Sequence, residues 1–292
     1  MKIDVFNPIS FCFGVENSIN VIKKAAIEYK GRPIFCMGQP IHNELVTSEL
    51  ENLGITIIST TLDKYSDEIK KMPNDCVIIF SAHGHDTKLN EICVEKNMIV
   101  VDSICPIVAA IRQQILNCLN KNEEIIYIGK KDHPESYAIQ KLSHLVHFWD
   151  ISSSFLVDFN LKSANIFNQT TILQDKILPI YDKIISNSPA AIIKNTSCKY
   201  VNSRYEQLKN ISSDSYDYII IAGSNTSSNT LELYEKGVEL FGNKTLLISK
   251  ADQIKDLVDL NNKSLKFALF SGTSAPQELI DAIKKILMQW LH

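Results

Sequence analysis

Residues 100–111, VVDSICPIVAAI, join a β-branched run to a helical pattern through Cys105 and Pro106. Proline is favoured at the first position of a helix, where its missing N–H group is not needed. The stretch therefore predicts a strand, a short loop and a helix that begins directly after Cys105. A buried strand followed by a helix is the repeating element of parallel α/β sheets, so this junction favours that fold class.

Two more cysteines stand at junctions of the same kind. The interval of 93 residues that separates Cys12 from Cys105 also separates Cys105 from Cys198. Helical patterns begin at all three positions, and they read CFGVENSINVIKKA, CPIVAAIRQQILNCL and CKYVNSRYEQLKN. A fixed period of this kind indicates repeated structural units.

The repeat predicts an α/β protein of three pseudo-equivalent units. The units are expected at residues 13–104, 105–196 and 197–292, with residues 1–12 adding an N-terminal strand to the third. No linker rich in proline, glycine or serine separates them. We therefore expect them to pack as one body around a threefold pseudo-axis, with the three cysteines directed to its centre.

Each predicted unit places polar side chains after the ends of two strands. Four residues beyond the glycine that ends the first strand stand His42, His133 and Ser227. Three residues beyond the phenylalanine near the end of the second strand stand His83, Thr170 and Thr273, and Ser274 follows the last. Open parallel sheets bind ligands beyond the carboxyl ends of their strands, so a ligand site is expected here.

Composition excludes several classes of function. The 292 residues are 45% hydrophobic and 22% charged, with a net charge of -3, which is the profile of a globular protein without the basic excess of a nucleic-acid binder. No apolar run has the length of a membrane span, and the first residues, MKIDVFNPIS, favour a strand over a signal sequence. We expect a cytoplasmic protein with neither nucleic acid nor membrane as a partner.

The cysteines favour a metal centre over disulfides. There are seven, an odd number, and they are widely spread without a C-x-x-C pair. A single cysteine at a strand-to-helix junction is most often a small buried apolar residue. Matched positions in three repeats favour thiolates that hold an iron-sulfur cluster, where three ligands would leave one iron open to substrate. The other cysteines are predicted to pack in the core: Cys36, Cys76, Cys93 and Cys118.

A set of short motifs in chain order resembles one known family. The motifs are Asn7-Pro8 with Phe11-Cys12, His42-Asn43, Ser81-Ala82-His83-Gly84, Cys105-Pro106, His133-Pro134-Glu135, Gln169-Thr170-Thr171, Cys198, Gly223-Ser224 with Ser227-Ser228-Asn229, and Ser274-Ala275-Pro276. Together they resemble the 4-hydroxy-3-methylbut-2-enyl diphosphate reductases, the LytB/IspH family. The resemblance implies a trefoil of three α/β domains around a [4Fe-4S] cluster on Cys12, Cys105 and Cys198. It also implies reductive removal of an allylic hydroxyl, the last step of non-mevalonate isoprenoid synthesis.

The resemblance assigns roles to the polar loops. Glu135 would donate a proton to the leaving hydroxyl, with Thr170 as relay and His133 as a third catalytic residue. The diphosphate would be bound by His42, His83, His133, Ser227, Ser228, Asn229 and Ser274. Singly, such residues are more often helix caps or loop hydrogen-bonding groups. No Rossmann or flavin fingerprint is evident, so the electrons must come from outside, and the resemblance implies a ferredoxin or flavodoxin as their donor.

The sequence departs from the family pattern beside all three cysteines. Ile9-Ser10 replace an Arg-Gly pair, Ser103-Ile104 replace Ala-Thr, and Lys199-Tyr200 follow the third cysteine in place of an Ala-Thr segment. Such neighbours tune the potential and solvent access of a cluster. Three alternatives therefore stay open: a relative acting on another allylic diphosphate, a non-catalytic iron-sulfur protein, and a metal-free protein that binds a phosphorylated metabolite.

Overall fold

The computed structural model describes residues 2–153, 163–259, 262 and 264–289. Residue 1 and residues 290–292, which the repeat assigns to the third predicted unit, lie outside them. Within the described residues the chain forms twelve strands: β1 (Lys2–Val5), β2 (Ile34–Met37), β3 (Ile55–Ile58), β4 (Val77–Phe80), β5 (Ile99–Asp102), β6 (Ile125–Gly129), β7 (Val146–Asp150), β8 (Asn165–Asn168), β9 (Ile192–Ile193), β10 (Tyr218–Ala222), β11 (Thr245–Ile248) and β12 (Lys266–Ser271).

Helices connect these strands. The same residues contain eleven α-helices: α1 (Phe13–Glu28), α2 (Glu44–Asn52), α3 (Tyr65–Lys71), α4 (Lys88–Glu95), α5 (Pro106–Leu119), α6 (Pro134–Gln140), α7 (Gln174–Asn187), α8 (Lys199–Lys209), α9 (Ser228–Phe241), α10 (Gln253–Leu257) and α11 (Gln277–Gln289). Pro106 stands at the first position of α5, as the sequence predicts.

The strands form three parallel sheets with one topology. In the described part of the chain each sheet has four strands, in the orders β3-β2-β4-β5, β7-β6-β8-β9 and β11-β10-β12-β1. All pairings between neighbouring strands are parallel. The predicted α/β class with three equivalent sheets is confirmed.

The fourth strand of every sheet leads to one of the three matched cysteines. β5 precedes Cys105, β9 precedes Cys198, and β1, which pairs with β12, precedes Cys12. The constant interval between the cysteines thus reflects one structural position repeated in three sheets. It places each thiol just beyond the carboxyl end of a strand and at the start of a helix.

The chain divides into two compact units. The first comprises residues 1–15, 41–46 and 199–292 and contains the sheet of β1. The second comprises residues 16–40 and 47–198 and contains the other two sheets. The three domain boundaries given by the repeat stay a prediction, although the strands of each sheet fall within one predicted repeat.

Apolar contacts between strand and helix stabilise each unit. In the first unit, Phe267 and Leu269 of β12 pack with Leu279 and Ile283 of α11 in one buried cluster. Burying such side chains contributes about 1.5–3 kcal/mol each. In the second unit, the sheets that contain β4 and β6 each form a buried apolar cluster with their own helices. Tyr127 belongs to the cluster of the β6 sheet. The rigid strands therefore hold the loops at their carboxyl ends in place.

Candidate active site

The three matched cysteines share a backbone contact as well as a position. The amide N–H of Cys12 donates to the carbonyl of Thr273, that of Cys105 to Ala82, and that of Cys198 to Thr170, over 2.9–3.0 Å. Each acceptor lies in the loop that follows the third strand of its sheet. Each cysteine is also partly exposed to solvent. In each sheet, the loop after the third strand therefore holds the start of the segment that carries the cysteine.

The remaining cysteines occupy different surroundings. Cys36, Cys76 and Cys93 are fully buried, as predicted for core residues, and Cys118 on α5 is partly exposed. Burial raises the pKa of Cys36 to about 12 and that of Cys93 to about 11, which keeps both as thiols. None of the seven cysteines forms a disulfide.

No ready-made site for a single metal ion exists in the described residues, where no group of three His, Cys, Asp or Glu side chains is suitably placed. This observation bears on mononuclear sites such as those of zinc. In a [4Fe-4S] cluster, each cysteine thiolate binds a different iron atom, so its ligands do not surround one ion.

Glu135 lies at the centre of a buried hydrogen-bond network in the second unit. Its side chain is only 2% exposed. Oε1 accepts hydrogen bonds from the Thr170 amide at 2.8 Å and the Tyr127 hydroxyl at 3.0 Å, and Oε2 accepts one from the Thr170 hydroxyl at 2.7 Å. The structure thus brings together the two residues that the sequence assigned as acid and relay.

Burial determines the acidity of this carboxyl group. It raises the pKa of Glu135, and the hydrogen bonds from Thr170 and Tyr127 oppose that rise without cancelling it. A carboxyl group with a raised pKa holds its proton nearer to neutral pH and is suited to general-acid chemistry. Glu135 is therefore not a solvent-exposed helix cap, which was the more ordinary expectation for a glutamate at a helix start.

His133 provides the cap of that helix and lies beside a second histidine. Its Nδ1 accepts a hydrogen bond from the Glu135 amide at 3.2 Å, so its proton in the neutral form is on Nε2. The rings of His83 and His133 meet edge to face with centroids 5.3 Å apart, and Nδ1 of His83 pairs with the Ser81 hydroxyl at 3.2 Å. These predicted residues therefore share one location with the Glu135 network.

The predicted serine and asparagine ligands lie together in the first unit. The Ser274 hydroxyl donates to Ser227 Oγ at 2.9 Å, and Asn229 Oδ1 accepts from the Thr273 amide at 2.7 Å. Ser227 also caps α9, accepting from the amide of Thr230, and Ser228 is the first residue of that helix. Hydroxyl groups and amides at a helix N-terminus form an arrangement that binds phosphate groups.

His42 belongs to a neighbouring loop of the same unit. Burial lowers the pKa of His42, which favours the neutral imidazole, a hydrogen-bond donor without charge. The next residue, Asn43, caps α2 by accepting from the amides of Leu45 and Val46. Asn43, Ser224 and Asn225 line one cavity of about 280 Å³, so the His42 loop and the loop before α9 are neighbours.

A model of one protein family matches almost the whole chain. The family is described as LytB protein, and the match covers residues 3–288. The chain belongs to the LytB family. The family resemblance inferred from the motifs is thereby confirmed.

Curated relatives of this LytB chain carry the name 4-hydroxy-3-methylbut-2-enyl diphosphate reductase. One, from Tolumonas auensis, is 27% identical over 297 residues, which are 99% of this chain and 92% of the relative. Another, from Aliivibrio fischeri, is 28% identical over 295 residues, which are 97% and 88% of the two chains.

Solved structures show the same fold as this LytB chain. The E-1-hydroxy-2-methyl-but-2-enyl-4-diphosphate reductase from Plasmodium falciparum has a TM-score of 0.81 and 24% identity, and the match covers 98% of this chain and 87% of that one. A second structure, of the (E)-4-hydroxy-3-methyl-but-2-enyl diphosphate reductase that is the terminal enzyme of the non-mevalonate pathway, has a TM-score of 0.69 and 22% identity, with 99% of both chains covered. None of the helices in the described residues of this LytB chain combines the length and the apolar content that a membrane crossing needs.

Ser10, one of the departures from the LytB pattern, has a strained backbone conformation that two hydrogen bonds stabilise. Ser10, which stands where the pattern has glycine, adopts φ of 65°, a conformation that favours glycine. Its amide donates to Ser271 Oγ at 2.8 Å, and its carbonyl accepts from Arg204 Nη2 at 2.7 Å. Arg204 is 2% exposed and also binds the Tyr200 carbonyl. Side chains of α8 and β12 thus hold the segment that leads to Cys12.

Two residues that support the Glu135 network in this LytB chain were not assigned to the site from sequence. Tyr127 lies within the apolar run IIYIG, where nothing distinguishes it from a core residue. Gln169 belongs to the motif Gln169-Thr170-Thr171, from which no role for it follows. Its Oε1 accepts from the Ser136 hydroxyl and the Lys130 amide, and its Nε2 donates to Thr171. It therefore ties the loop after β6 to the loop after β8.

Proposed function

We propose that the chain catalyses the reductive dehydroxylation of 4-hydroxy-3-methylbut-2-enyl diphosphate to isopentenyl and dimethylallyl diphosphates. The observation that carries the proposal is the buried Glu135 carboxyl group held by Thr170 in a member of the LytB family. A carrier of electrons or a simple metabolite-binding protein has no use for a buried carboxyl group with a raised pKa. The names of the curated relatives agree with this activity.

The reaction needs two electrons and two protons. One proton leaves with the allylic hydroxyl as water, and the other is bonded to carbon in the product. Because hydroxide is a poor leaving group, a positioned acid must deliver the first proton. Glu135 is the acid in this proposal. Its Oε2 is 2.7 Å from the Thr170 hydroxyl, which accepts the carboxyl proton and passes its own to the substrate oxygen.

The diphosphate of the substrate requires donors of hydrogen bonds and a site that tolerates negative charge. We assign that role to His42, His83, His133, Ser227, Ser228, Asn229 and Ser274. The N-terminus of α9 supports this assignment, since amides of the first helical turn and the Ser227–Ser274 hydroxyl pair favour an anion. His133, with its proton on Nε2, can donate a hydrogen bond while its Nδ1 caps α6.

The three matched cysteines fit the cofactor that the resemblance implies. Cys12, Cys105 and Cys198 are partly exposed thiols at equivalent helix starts, whereas Cys36, Cys76 and Cys93 are buried. We propose that these three thiolates hold a [4Fe-4S] cluster with one iron open to substrate. When bound, the cluster would supply electrons and act as a Lewis acid toward the substrate oxygen. An external ferredoxin or flavodoxin is the proposed source of electrons.

Anaerobic turnover tests the proposal directly. Protein reconstituted with iron and sulfide is mixed with 4-hydroxy-3-methylbut-2-enyl diphosphate and a reduced viologen dye, whose oxidation is followed by absorbance. We expect substrate-dependent dye oxidation with isopentenyl and dimethylallyl diphosphates as products. An absence of dye oxidation in a sample with stoichiometric iron and sulfide would contradict the proposal and favour another substrate or a non-catalytic role.

A further inference from the structure

Tyr127 makes an unusual contact for a residue of a central strand. Its side chain is completely buried and packs in an apolar cluster with Ile115, Ile139 and Phe167. The hydroxyl group at the end of the ring reaches Glu135 Oε1 at 3.0 Å. A buried tyrosine hydroxyl needs a partner, and here the partner is the proposed proton donor.

The donors around Glu135 are unevenly shared between its two oxygens. Within the described part of the chain, Oε1 accepts from both the Thr170 amide and the Tyr127 hydroxyl, whereas Oε2 accepts from the Thr170 hydroxyl alone. A carboxylate oxygen has about two lone-pair directions, so two donors occupy Oε1 fully. Oε2 accepts from a single donor, and that donor is a hydroxyl group, which can also accept a hydrogen bond.

This imbalance determines where a proton can bind. A proton on Oε1 would displace the Thr170 amide or the Tyr127 hydroxyl and leave a buried donor without an acceptor, which is costly. A proton on Oε2 requires only that the Thr170 hydroxyl rotate, because a hydroxyl group can accept one hydrogen bond and donate another. The rotated hydroxyl then directs its own hydrogen away from Glu135.

We propose that Tyr127 is a positioning residue that confines the acidic proton of Glu135 to Oε2, the oxygen that contacts the Thr170 hydroxyl. The structural part stands on the geometry alone, and its catalytic consequence rests on the proposed function. Without the Tyr127 hydroxyl, each carboxyl oxygen would keep one donor, both from Thr170, and the proton would be divided between Oε1 and Oε2. Part of the acid would then carry its proton on the side away from the relay.

Tyr127 itself does not supply protons. Burial raises its pKa well above the usual range for tyrosine, and the neighbouring Glu135 carboxylate raises it further. Among the described residues, Tyr127 on β6 contacts the carboxyl group and stays protonated, whereas His133 at the cap of α6 contacts the backbone amide of Glu135. Thr170, from the loop after β8, contributes donors without titrating.

The test compares Tyr127→Phe with a matched control, Tyr181→Phe. Tyr181 is another buried tyrosine of the same unit, and its hydroxyl donates to Asn168 Oδ1 without contacting Glu135. In reconstituted protein kept anaerobic, the protonated Glu135 carboxyl group is followed by infrared difference spectroscopy against pH. Its band is assigned by its loss in Glu135→Gln.

We expect Tyr127→Phe to raise the pH at which the Glu135 band titrates by about one pH unit, since the charged form loses a hydrogen bond. The band should also split, because the proton occupies two different oxygens. In viologen-coupled turnover, the pH above which kcat falls should rise by the same amount, with a lower kcat plateau and an unchanged KM. Tyr181→Phe should leave the Glu135 band and the pH profile unaltered.

An unchanged Glu135 titration in folded Tyr127→Phe would overturn the proposal, as would an equal change in Tyr181→Phe. If Tyr127→Phe does not fold, 3-fluorotyrosine at position 127 keeps the shape and strengthens the donor, and the titration should move to lower pH. An unchanged Glu135 titration in the 3-fluorotyrosine variant would also overturn the proposal. A changed infrared titration in protein that shows no turnover of the substrate, wild type included, would refute the proposed reaction and still support the positioning role.

Discussion

Replacing Glu135 with glutamine separates the chemistry of this residue from its structural role. The amide has nearly the shape of the carboxyl group, and its oxygen can take the place of Oε1, accepting from the Thr170 amide and the Tyr127 hydroxyl. Its NH₂ group then takes the place of Oε2 and donates to Thr170 Oγ1, 2.7 Å away in the wild type. The Thr170 amide and the Tyr127 hydroxyl keep their acceptor, and the Thr170 hydroxyl accepts a hydrogen bond where it donated one, so Glu135→Gln should fold and bind substrate normally.

The stability of this variant should depend on pH in a defined direction. Burial raises the pKa of Glu135 in the folded protein, so the native state holds this proton more tightly than the unfolded chain does. The favourable effect of the protonated group is complete below the unfolded pKa and is lost as pH rises through the folded pKa. A pKa that differs by one between the folded and unfolded states corresponds to about 1.4 kcal/mol of unfolding free energy.

Glutamine cannot ionise, so the free energy of unfolding of Glu135→Gln does not fall in this way as pH rises. The melting temperature of Glu135→Gln relative to wild type should therefore rise between acidic and neutral pH and then level off. Calorimetric or circular-dichroism melts at several pH values measure this difference. A variant that becomes relatively less stable as pH increases would contradict the assignment of a raised pKa.

Turnover should respond far more strongly than stability. General-acid catalysis contributes about 10²–10⁴-fold to a rate, and an amide supplies no proton at neutral pH, so kcat should fall by about that factor with KM nearly unchanged. The viologen assay on reconstituted protein, with iron content equal to that of wild type, provides the measurement. A kcat within a few-fold of wild type would refute the role of Glu135 as proton donor.

Three further changes test other parts of the site. His42→Phe should raise the apparent KM by about 10- to 100-fold, because a hydrogen bond to a charged phosphate contributes about 1.5–3 kcal/mol; unchanged kinetics would exclude His42 from substrate binding. Cys105→Ser should lose bound iron on anaerobic reconstitution, whereas Cys118→Ser, a partly exposed cysteine of the same helical segment, should keep it. Ser10→Gly should increase the free energy of unfolding by up to about 1 kcal/mol, because a φ of 65° strains serine more than glycine. A variant less stable than the wild type in a denaturation experiment would contradict this prediction.

The fold was predictable because its signals are local and repeated. The junction at Cys105-Pro106 marks a strand, a loop and a helix within twelve residues, and the same pattern recurs at Cys12 and Cys198. Repetition turned three weak signals into one strong one, and the observed sheets share a single topology. The position of β1 follows from the same pattern, because each cysteine is preceded by the fourth strand of a sheet.

The site was only partly predictable because its key contacts cross between elements. Periodicity indicates that Tyr127 is buried, but a strand buried on both faces does not reveal which side chain reaches Glu135. The capping and ligand interpretations of Ser227 also could not be separated from sequence. The structure shows Ser227 capping α9 and accepting a hydrogen bond from Ser274, and its role as a ligand of the diphosphate stays a prediction.

Thr170 contacts two parts of the site, the Glu135 carboxyl group and the segment that begins with Cys198. Its hydroxyl and amide hold Glu135, and its carbonyl receives the amide of Cys198. Every residue except proline supplies the amide, and only serine and threonine also carry a hydroxyl group on the β-carbon. Substitution at this position can therefore remove the hydroxyl contact with Glu135 and leave the Cys198 contact intact, whereas serine retains both the hydroxyl and the backbone groups.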